Sequence, residues 1–376
     1  MTPFKYGMIV DGENYCPRPE LARQFSKLVE AGLNVVVQGE RRMGKTSFVR
    51  ETIKSCTDME LVYIDLYCVK TVEELCRRAV AAVTALERSA GFLRRTAQLL
   101  TRLRPVLTMD PETGIPQLTV EVRPDEGIAS LEDVMDMISA HAAKRSLCIV
   151  FDEFQDVLEL DDPDILLARL RAKIQFQNKT PHVFLGSVRN RMHEIFDSPR
   201  SPFFKSATSF SVGAIESEDF KRFLSNRFKV SRRKISETAL DRILKIADGI
   251  SGDVQELCET VWLATNDGDV IGDDQIDAGL QLVFAREEKA FGPTLSRLTP
   301  TQAAVLKGLA IDSNLKPFSG DFLKRSGIRN VGTVTRALSR LAKDEIIYEY
   351  AASWRFTNPF FREWLKSRQT SSANAT

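Results

Sequence analysis

The sequence predicts an α/β fold: a parallel sheet of five strands covered by helices on both faces, then an all-helical segment, then a small C-terminal helix-turn-helix with a hairpin. Three observations predict it. Short apolar runs recur through the first 215 residues with helical patterns between them, as expected of strands buried on both faces. One run breaks into a charged, glycine-rich loop, "VVVQGERRMGKTSFV" (35–49). Beyond about residue 216 the spacing is helical until an alternating stretch, "IIYEY-AAS-WRFT", near the end.

The loop has the pattern G-x-x-x-x-G-K-[ST], filled by Gly39, Glu40, Arg41, Arg42, Met43, Gly44, Lys45 and Thr46, with Ser47 next. Gly39 and Gly44 are expected to supply backbone angles that a Cβ would forbid, so that successive N–H groups turn inward onto phosphate oxygens. A helix beginning near Lys45 adds its positive end to the same spot. Lys45 is then expected on the β- and γ-phosphates of a nucleotide and the Thr46 hydroxyl on Mg²⁺. The flanks agree. "NVVVQ" reads as a buried strand, and "TSFVRETI" as a helix with Phe48, Val49, Thr52 and Ile53 on one face.

A phosphate loop needs an acidic partner, and "LCIVFDEF" (147–154) supplies Asp152 and Glu153 at a strand end. Strand ends of a parallel sheet gather at the edge where ligands bind. Asp152 is expected in the Mg²⁺ shell and Glu153 as the base that orients and deprotonates an attacking water. Ser187, closing "VFLGS", reads either as a sensor of the γ-phosphate or as an ordinary strand-end serine.

The remaining elements follow in order. Residues 19–31 carry Leu21, Phe25, Leu28 and Val29 on one helical stripe, with Gly32 just past the end. Strand-like runs follow at 61–69, 146–154, 182–188 and 209–215, with a helix over 72–88. Residues 106–122 alternate around a D-P-E-T-G turn and predict an inserted β-hairpin. The segment before it holds Arg88, Arg94, Arg95, Arg102 and Arg104, which reads as a solvated helix face or as a nucleic-acid or partner contact. Residues 216–290 are helical throughout, and "GPTLSRLTP" (292–300) reads as a linker. The boundaries expected are therefore a core over 1–215, a helical segment over 216–292 and a C-terminal domain over 293–376.

Composition sets limits. The 376 residues are 43% hydrophobic and 27% charged with a net charge of +1, so the chain can bury a core and is no polycation. The six cysteines form no C-x-x-C pair and the three histidines stand apart from them, which argues against zinc and against a disulfide framework. A reducing, cytoplasmic compartment is expected, with no signal peptide and no membrane span.

The C-terminal domain reads as a winged helix-turn-helix. Ala304, Leu306 and Leu309 point one helix inward, Ser319 caps a second and Gly327 closes it. A third helix from Val331 places Val331, Val334, Leu338 and Leu341 in the core and Thr333, Arg336, Arg340 and Lys343 opposite. A hairpin with a three-residue turn forms the wing, and "KSRQTSSANAT" reads as a polar tail. Trp354, Phe360, Phe361 and Trp364 read as core anchors. Twelve Lys and Arg against six Asp and Glu give residues 300–376 a charge of +6, leaving −5 for the rest. Charge concentrated on a third helix suits contact with phosphates or base edges of double-stranded DNA; docking to a protein is the other reading.

These segments together resemble the AAA+-type P-loop ATPases, in the archaeal-ATPase branch related to the STAND and origin-recognition ATPases. The resemblance rests on "YCPRPEL" (15–21), "GERRMGKTS" (39–47), "VFDEFQD" (150–156), "FLGSVRNRM" (184–192), "SPFFKSA" (201–207) and "NPFFREWL" (358–365). It implies a P-loop sheet core, a helical lid and a winged helix. It also implies an ATP-binding, ATP-hydrolysing protein that couples nucleotide state to DNA binding or to assembly, as a homo-oligomer or with a protein partner. A STAND-type signalling switch and a transposition or replication helper are the alternatives. By the same resemblance Arg18 and Glu20 lie near the base. Lys205 stands where relatives often place an arginine that reaches a neighbour's γ-phosphate, with Arg189, Arg191 and Arg200 close by. "GDVQ" (252–255) replaces the family's Gly-x-Pro or sensing arginine.

Overall fold

The computed structural model describes residues 2–55, 58–87, 89–100, 103–109, 116–121, 127–187, 191–311, 317–350 and 353–373. The chain divides into two compact units, Ile9–Ala214 on one side and Met1–Met8 with Ile215–Thr376 on the other.

The first unit is built on a five-stranded parallel sheet. In chain order it holds α1 (Pro19–Glu30), β1 (Val35–Gly39), α2 (Lys45–Ser55), β2 (Glu60–Asp65), α3 (Val72–Thr84), α4 (Ala90–Leu99), β3 (Arg104–Met109), β4 (Pro116–Glu121), α5 (Gly127–Ala142), β5 (Leu147–Asp152), α6 (Pro163–Ile174), β6 (His182–Ser187), α7 (Met192–Phe196) and β7 (Thr208–Ser211). The strand order is β2-β5-β6-β1-β7. Strand alternation splits the core into two layers. Val35, Val37, Cys148, Val150, Val183 and Leu185 pack with Phe25 of α1 and with Phe48, Val49 and Ile53 of α2. Val36, Val62, Ile64, Ile149, Phe151 and Phe184 pack on the opposite face with α3, α5 and α6.

The inserted hairpin is present as β3 and β4, antiparallel from Arg104 opposite Glu121 to Met109 opposite Pro116. Its turn and Val122 lie outside the described residues, as do Arg88, Arg102 and Arg189. α4 buries Phe92, Leu93 and Thr96 and turns Arg94 and Arg95 to solvent, while Arg104 pairs with Glu121 at 3.5 Å.

The second unit contains α8 (Ser217–Val230), β8 (Lys234–Ile235), α9 (Glu237–Ile246), α10 (Ser251–Leu263), β9 (Val270–Ile271), α11 (Asp273–Ser296), α12 (Pro300–Ile311), α13 (Gly320–Ser326), α14 (Val331–Lys343), β10 (Ile347–Tyr350), β11 (Ser353–Phe356) and α15 (Pro359–Ala373). The N-terminal residues join it: Phe4 packs on Phe228, and Arg227 donates to the Pro3 carbonyl at 2.8 Å.

Several expectations are corrected here. The helical segment contains one two-residue parallel pairing, β8 with β9. The linker expected over 292–300 is helix as far as Ser296, with Pro293 inside it. Pro293 removes the backbone donor for the Lys289 carbonyl, yet the helix continues, with Phe291 set against Phe361 and Trp364. The segment after Trp364 continues as α15 to Ala373, where Arg368 bonds Glu288 at 3.0 Å. In α14 the buried residues are Val334, Ala337, Leu338 and Leu341. Val331, expected in the core stripe, is at the first helical position and 43% exposed. Ser353, expected in the three-residue wing turn, instead pairs with Tyr350 as the first residue of β11; residues 351–352 lie outside the described set. Ser319 caps α13 by accepting from the Phe322 N–H, and Gly327 ends it at φ 68°, as expected. Among the described residues no helix is long and apolar enough to cross a membrane.

One buried group makes a pH test of this core. His182 is fully buried in β6 and stacks on Phe151 at 6.4 Å; burial pushes its ring down to about 4, against a smaller opposing pull from the Thr180 backbone. The folded ring refuses a proton that the unfolded chain accepts near 6.5, so stability is full above that pH and falls as pH drops toward 4. Urea unfolding at pH 7.0 and 5.0 is expected to show wild type losing about 2 kcal/mol more than His182→Leu.

Candidate functional site

The sheet order puts β1 and β5 on either side of β6, so their C-terminal ends open at one edge. Gly39 lies in register with Ser187, and Asp65 with Asp152. Two segments far apart in sequence meet here: the Thr46 hydroxyl donates to Asp152 Oδ2 at 2.7 Å across 106 positions. α2 starts at Lys45, so its N-terminal turn faces the same point.

The loop closes on itself. Lys45 is buried and its Nζ donates to the carbonyls of Gly39 at 3.1 Å and Glu40 at 2.9 Å. Burial lowers its pKa, while the charges of Glu153 and Asp152 pull the other way. Left-handed backbone is needed at Gly44 (φ 76°) and at Arg42 (φ 64°). Gly39 is required for a different reason than expected: a Cβ there would sit 2.3 Å from the Val212 carbonyl oxygen, so the position needs space rather than an unusual φ.

Asp152 is held by three donors. Thr46 and the Tyr63 hydroxyl, at 2.6 Å, both donate to Oδ2, and the Glu153 N–H donates to Oδ1 at 2.9 Å. Glu153 sits at φ 50°, which turns its side chain off the strand line. Gln155 Nε2 donates to Glu153 Oε2 at 2.7 Å and to Asp156 Oδ1 at 2.9 Å. Burial raises the Glu153 pKa; the bond from Gln155 and the Lys45 charge oppose this, and the Asp152 charge adds to it. A carboxyl poised upward is suited to accepting a proton.

The other expected residues fall as follows. Ser187 is buried at the end of β6 beside the start of the loop. Arg41 and Arg42 are exposed, and Glu40 and Met43 are buried. Ser47 turns its hydroxyl to the N-terminal segment, accepting from the Val10 N–H at 3.0 Å. Arg18 is buried, with its guanidinium on the Met43 carbonyl at 2.6 Å and the Gly213 carbonyl at 2.7 Å. It clamps the loop to the chain after β7, while Glu20 is exposed beside Arg23. Lys205 (φ 52°) bonds the Phe196 carbonyl through its N–H and lays its ammonium over Phe204; among the described residues it touches nothing in the loop. Arg191 pairs with Glu194 and Glu159. "GDVQ" lies within α10, where Gln255 accepts from the Lys5 N–H at 3.3 Å. On α14, Arg336, Arg340 and Lys343 are exposed, Thr333 is half-buried, and Arg340 bonds Asp344 at 3.0 Å.

Sequence reasoning missed Tyr63, Gln155 and Val212. Tyr63 left one signal, a hydroxyl within the otherwise apolar "LVYI", and Gln155 another, an amide directly after "DEF".

The donor set fits a hard divalent cation bound with a triphosphate. A hydroxyl, Thr46, and a carboxylate, Asp152, are oxygen donors of the kind Mg²⁺ takes, and Mg²⁺ is commonly held by one or two protein ligands plus phosphates and waters. Among the described residues no cluster of three His, Cys, Asp or Glu forms a closed cage. The glycine loop and the N-terminal turn of α2 suit phosphate oxygens.

The fold and site define a class: a P-loop ATPase-like α/β core followed by helices and a C-terminal winged helix. Residues 289–367 match the family model described as "Probable winged helix domain". Solved structures are similar in fold over nearly the full length of the chain. A Walker-type ATPase of Pyrococcus abyssi superposes with a TM-score of 0.63 at 18% identity, covering 97% of this chain and 100% of its own. The Aeropyrum pernix ORC1 protein, solved in complex with DNA, gives 0.52 at 12% identity over 97% and 96%. The Aeropyrum pernix ORC2 protein, solved in ADPNP–ADP complexes, gives 0.52 at 15% identity over 98% and 99%. None of the curated proteins matches the chain.

The Gly39 contact yields a paired test. Gly39→Ala forces a Cβ onto backbone and is expected to cost about 1–3 kcal/mol in urea unfolding. Gly213→Ala, whose Cβ would meet nothing within 4 Å, is expected to leave stability within about 0.5 kcal/mol.

Proposed function

We propose that the protein binds ATP with Mg²⁺, hydrolyses it to ADP and phosphate, and couples its nucleotide state to double-stranded DNA binding by the winged helix. The observation that carries the reading is the Thr46–Asp152 hydrogen bond, with Lys45 and Glu153 around it. It joins a phosphate loop to an acidic strand end, the two halves that nucleotide hydrolysis needs.

In this reading the loop over Gly39–Ser47 and the N-terminus of α2 bind the triphosphate. Lys45 leaves the Gly39 and Glu40 carbonyls for the β- and γ-phosphates. Thr46 and Asp152 would hold Mg²⁺, which would supply positive charge against the phosphate oxygens. Glu153 accepts a proton from water as the water oxygen bonds the γ-phosphorus and the bond to the β,γ-bridging oxygen breaks. Ser187 is the candidate sensor of the γ-phosphate. Arg18 supports the loop from behind, and Lys205 is kept as a candidate for contact with a second copy.

The DNA part rests on charge and shape. The +6 excess over residues 300–376 and the exposed Arg336 and Lys343 suit a phosphate-contacting helix. The fold match to a protein solved with DNA adds support. One observation favours a second reading, the STAND-type switch. Buried Arg362 of α15 bonds both Asp248 oxygens, at 2.6 and 2.7 Å, and the Ile246 carbonyl at 2.8 Å. A winged helix bolted to the preceding helices serves an intramolecular role equally well.

Steady-state ATP turnover, with and without duplex DNA, separates the readings. Lys45→Ala is expected to abolish ATP binding. Glu153→Gln is expected to retain binding while turnover falls at least about a hundredfold; equal activity would remove Glu153 from its role. Stimulation by DNA supports coupling, and loss of DNA retention in Arg336→Glu/Lys343→Glu, with a shallower salt dependence, places the contact on α14. Turnover near zero and unmoved by DNA favours the switch.

A further inference from the structure

We propose that Tyr63 is a positioning residue for the metal side of this site: its phenol hydroxyl fixes the Asp152 carboxylate in the orientation from which it shares a divalent cation with Thr46. This rests on the nucleotide-site reading above and names a residue that no motif includes.

The geometry is specific. An ionised carboxylate offers about four acceptor positions. Asp152 has three of them engaged: Thr46 and Tyr63 on Oδ2, at 2.7 and 2.6 Å, and its neighbour's N–H on Oδ1 at 2.9 Å. About one acceptor direction remains for a cation or its bound water. A carboxylate held by Thr46 and the Glu153 N–H alone would keep more freedom about its terminal torsion, which is broad when unconstrained.

The phenol is itself held in place. Alternation along β2 puts Tyr63 on the face opposite the buried Val62 and Ile64, and its strand runs in register with β5, Asp65 opposite Asp152. The Arg50 guanidinium lies 5.1 Å over the Tyr63 ring. Arg50 and Thr46 are four positions apart on α2 and so share one face of that helix. One helix face therefore supplies both the metal hydroxyl and the cation that covers the phenol. A phenylalanine would fill the same space and keep the Arg50 stacking. What the hydroxyl adds is the bond to Asp152. Partners of metal ligands that fix ligand orientation typically contribute 10–100-fold in metal affinity.

The test compares wild type and Tyr63→Phe in two titrations. A fluorescent ATP analogue in EDTA reports nucleotide binding without metal and serves as the check that the variant is folded. Mn²⁺ binding to the complex with a non-hydrolysable ATP analogue, followed by electron paramagnetic resonance, reports the metal side. Expected for Tyr63→Phe is metal-free nucleotide affinity within about twofold of wild type and Mn²⁺ affinity about tenfold weaker. Turnover should then show a raised Mg²⁺ requirement with kcat largely restored at saturating Mg²⁺. Mn²⁺ affinity within twofold of wild type overturns the proposal, whatever happens to stability. Arg50→Met, which removes the cover and leaves the hydroxyl, is a second variant and should give a smaller loss in the same direction; a larger loss than Tyr63→Phe also counts against the phenol. The underlying reading fails separately: wild type would then bind the analogue no better than Lys45→Ala.

Discussion

The hydrogen bond from Thr46 to Asp152 is the constraint on which the rest of the first unit depends. It exists only if β1 and β5 end together at the same edge with one strand between them. The order β2-β5-β6-β1-β7 meets that condition, and the register of β6 against both neighbours sets the depth. A slip of one residue in any of these strands would turn every buried side chain to the wrong face. Val35, Val37, Val150 and Val183 on one face, and Val36, Ile149 and Phe184 on the other, make such a slip costly. The apolar core is thus what aligns two polar atoms 2.7 Å apart.

Around that bond the electrostatics are balanced rather than relaxed. Burial works against the charge of Lys45 and against that of Glu153, and each partly offsets the other's cost. Lys45 spends its donors on two loop carbonyls, which are weaker partners than phosphate oxygens. Glu153 is steadied by an amide, Gln155, that carries no charge.

Much of this was legible in the sequence, and the gaps have physical causes. The loop, the acidic pair, the five strands and the helix caps at Ser319 and Gly327 announce themselves because each rests on local backbone demands. What stayed hidden depends on partners distant in sequence. Nothing near Gly39 reveals that Val212 will press against it. Nothing local to Arg18 shows that its guanidinium will bond the Met43 and Gly213 carbonyls. Pro293 reads as a helix breaker because local rules count only the lost N–H, whereas Phe291, two residues before it, packs against Phe361 and Trp364 from far along the chain. Val331 fits the helical stripe by spacing, yet spacing does not say how far along α14 the packing surface extends.

In the second unit, Arg362 plays the part that Thr46 plays in the first. A buried ion pair adds little net stability over an apolar contact of equal size, because desolvation consumes most of the attraction. Its effect lies in what it penalises. Arg362 meets both oxygens of Asp248 and the Ile246 carbonyl, so any other seating of α15 would strand a buried guanidinium and two acceptors at once. Asp248 is itself in the left-handed region, at φ 51°, just past the end of α9, which aims its carboxylate and the last carbonyls of that helix at a single donor. The Trp364 indole adds a bond to Glu288 of α11 at 3.1 Å, so α15 is tied to two helices in two directions. The winged helix and the helices before it therefore behave as one body. The orientation of α14, with its exposed Arg336 and Lys343, is set by the same contacts that order α9 and α11.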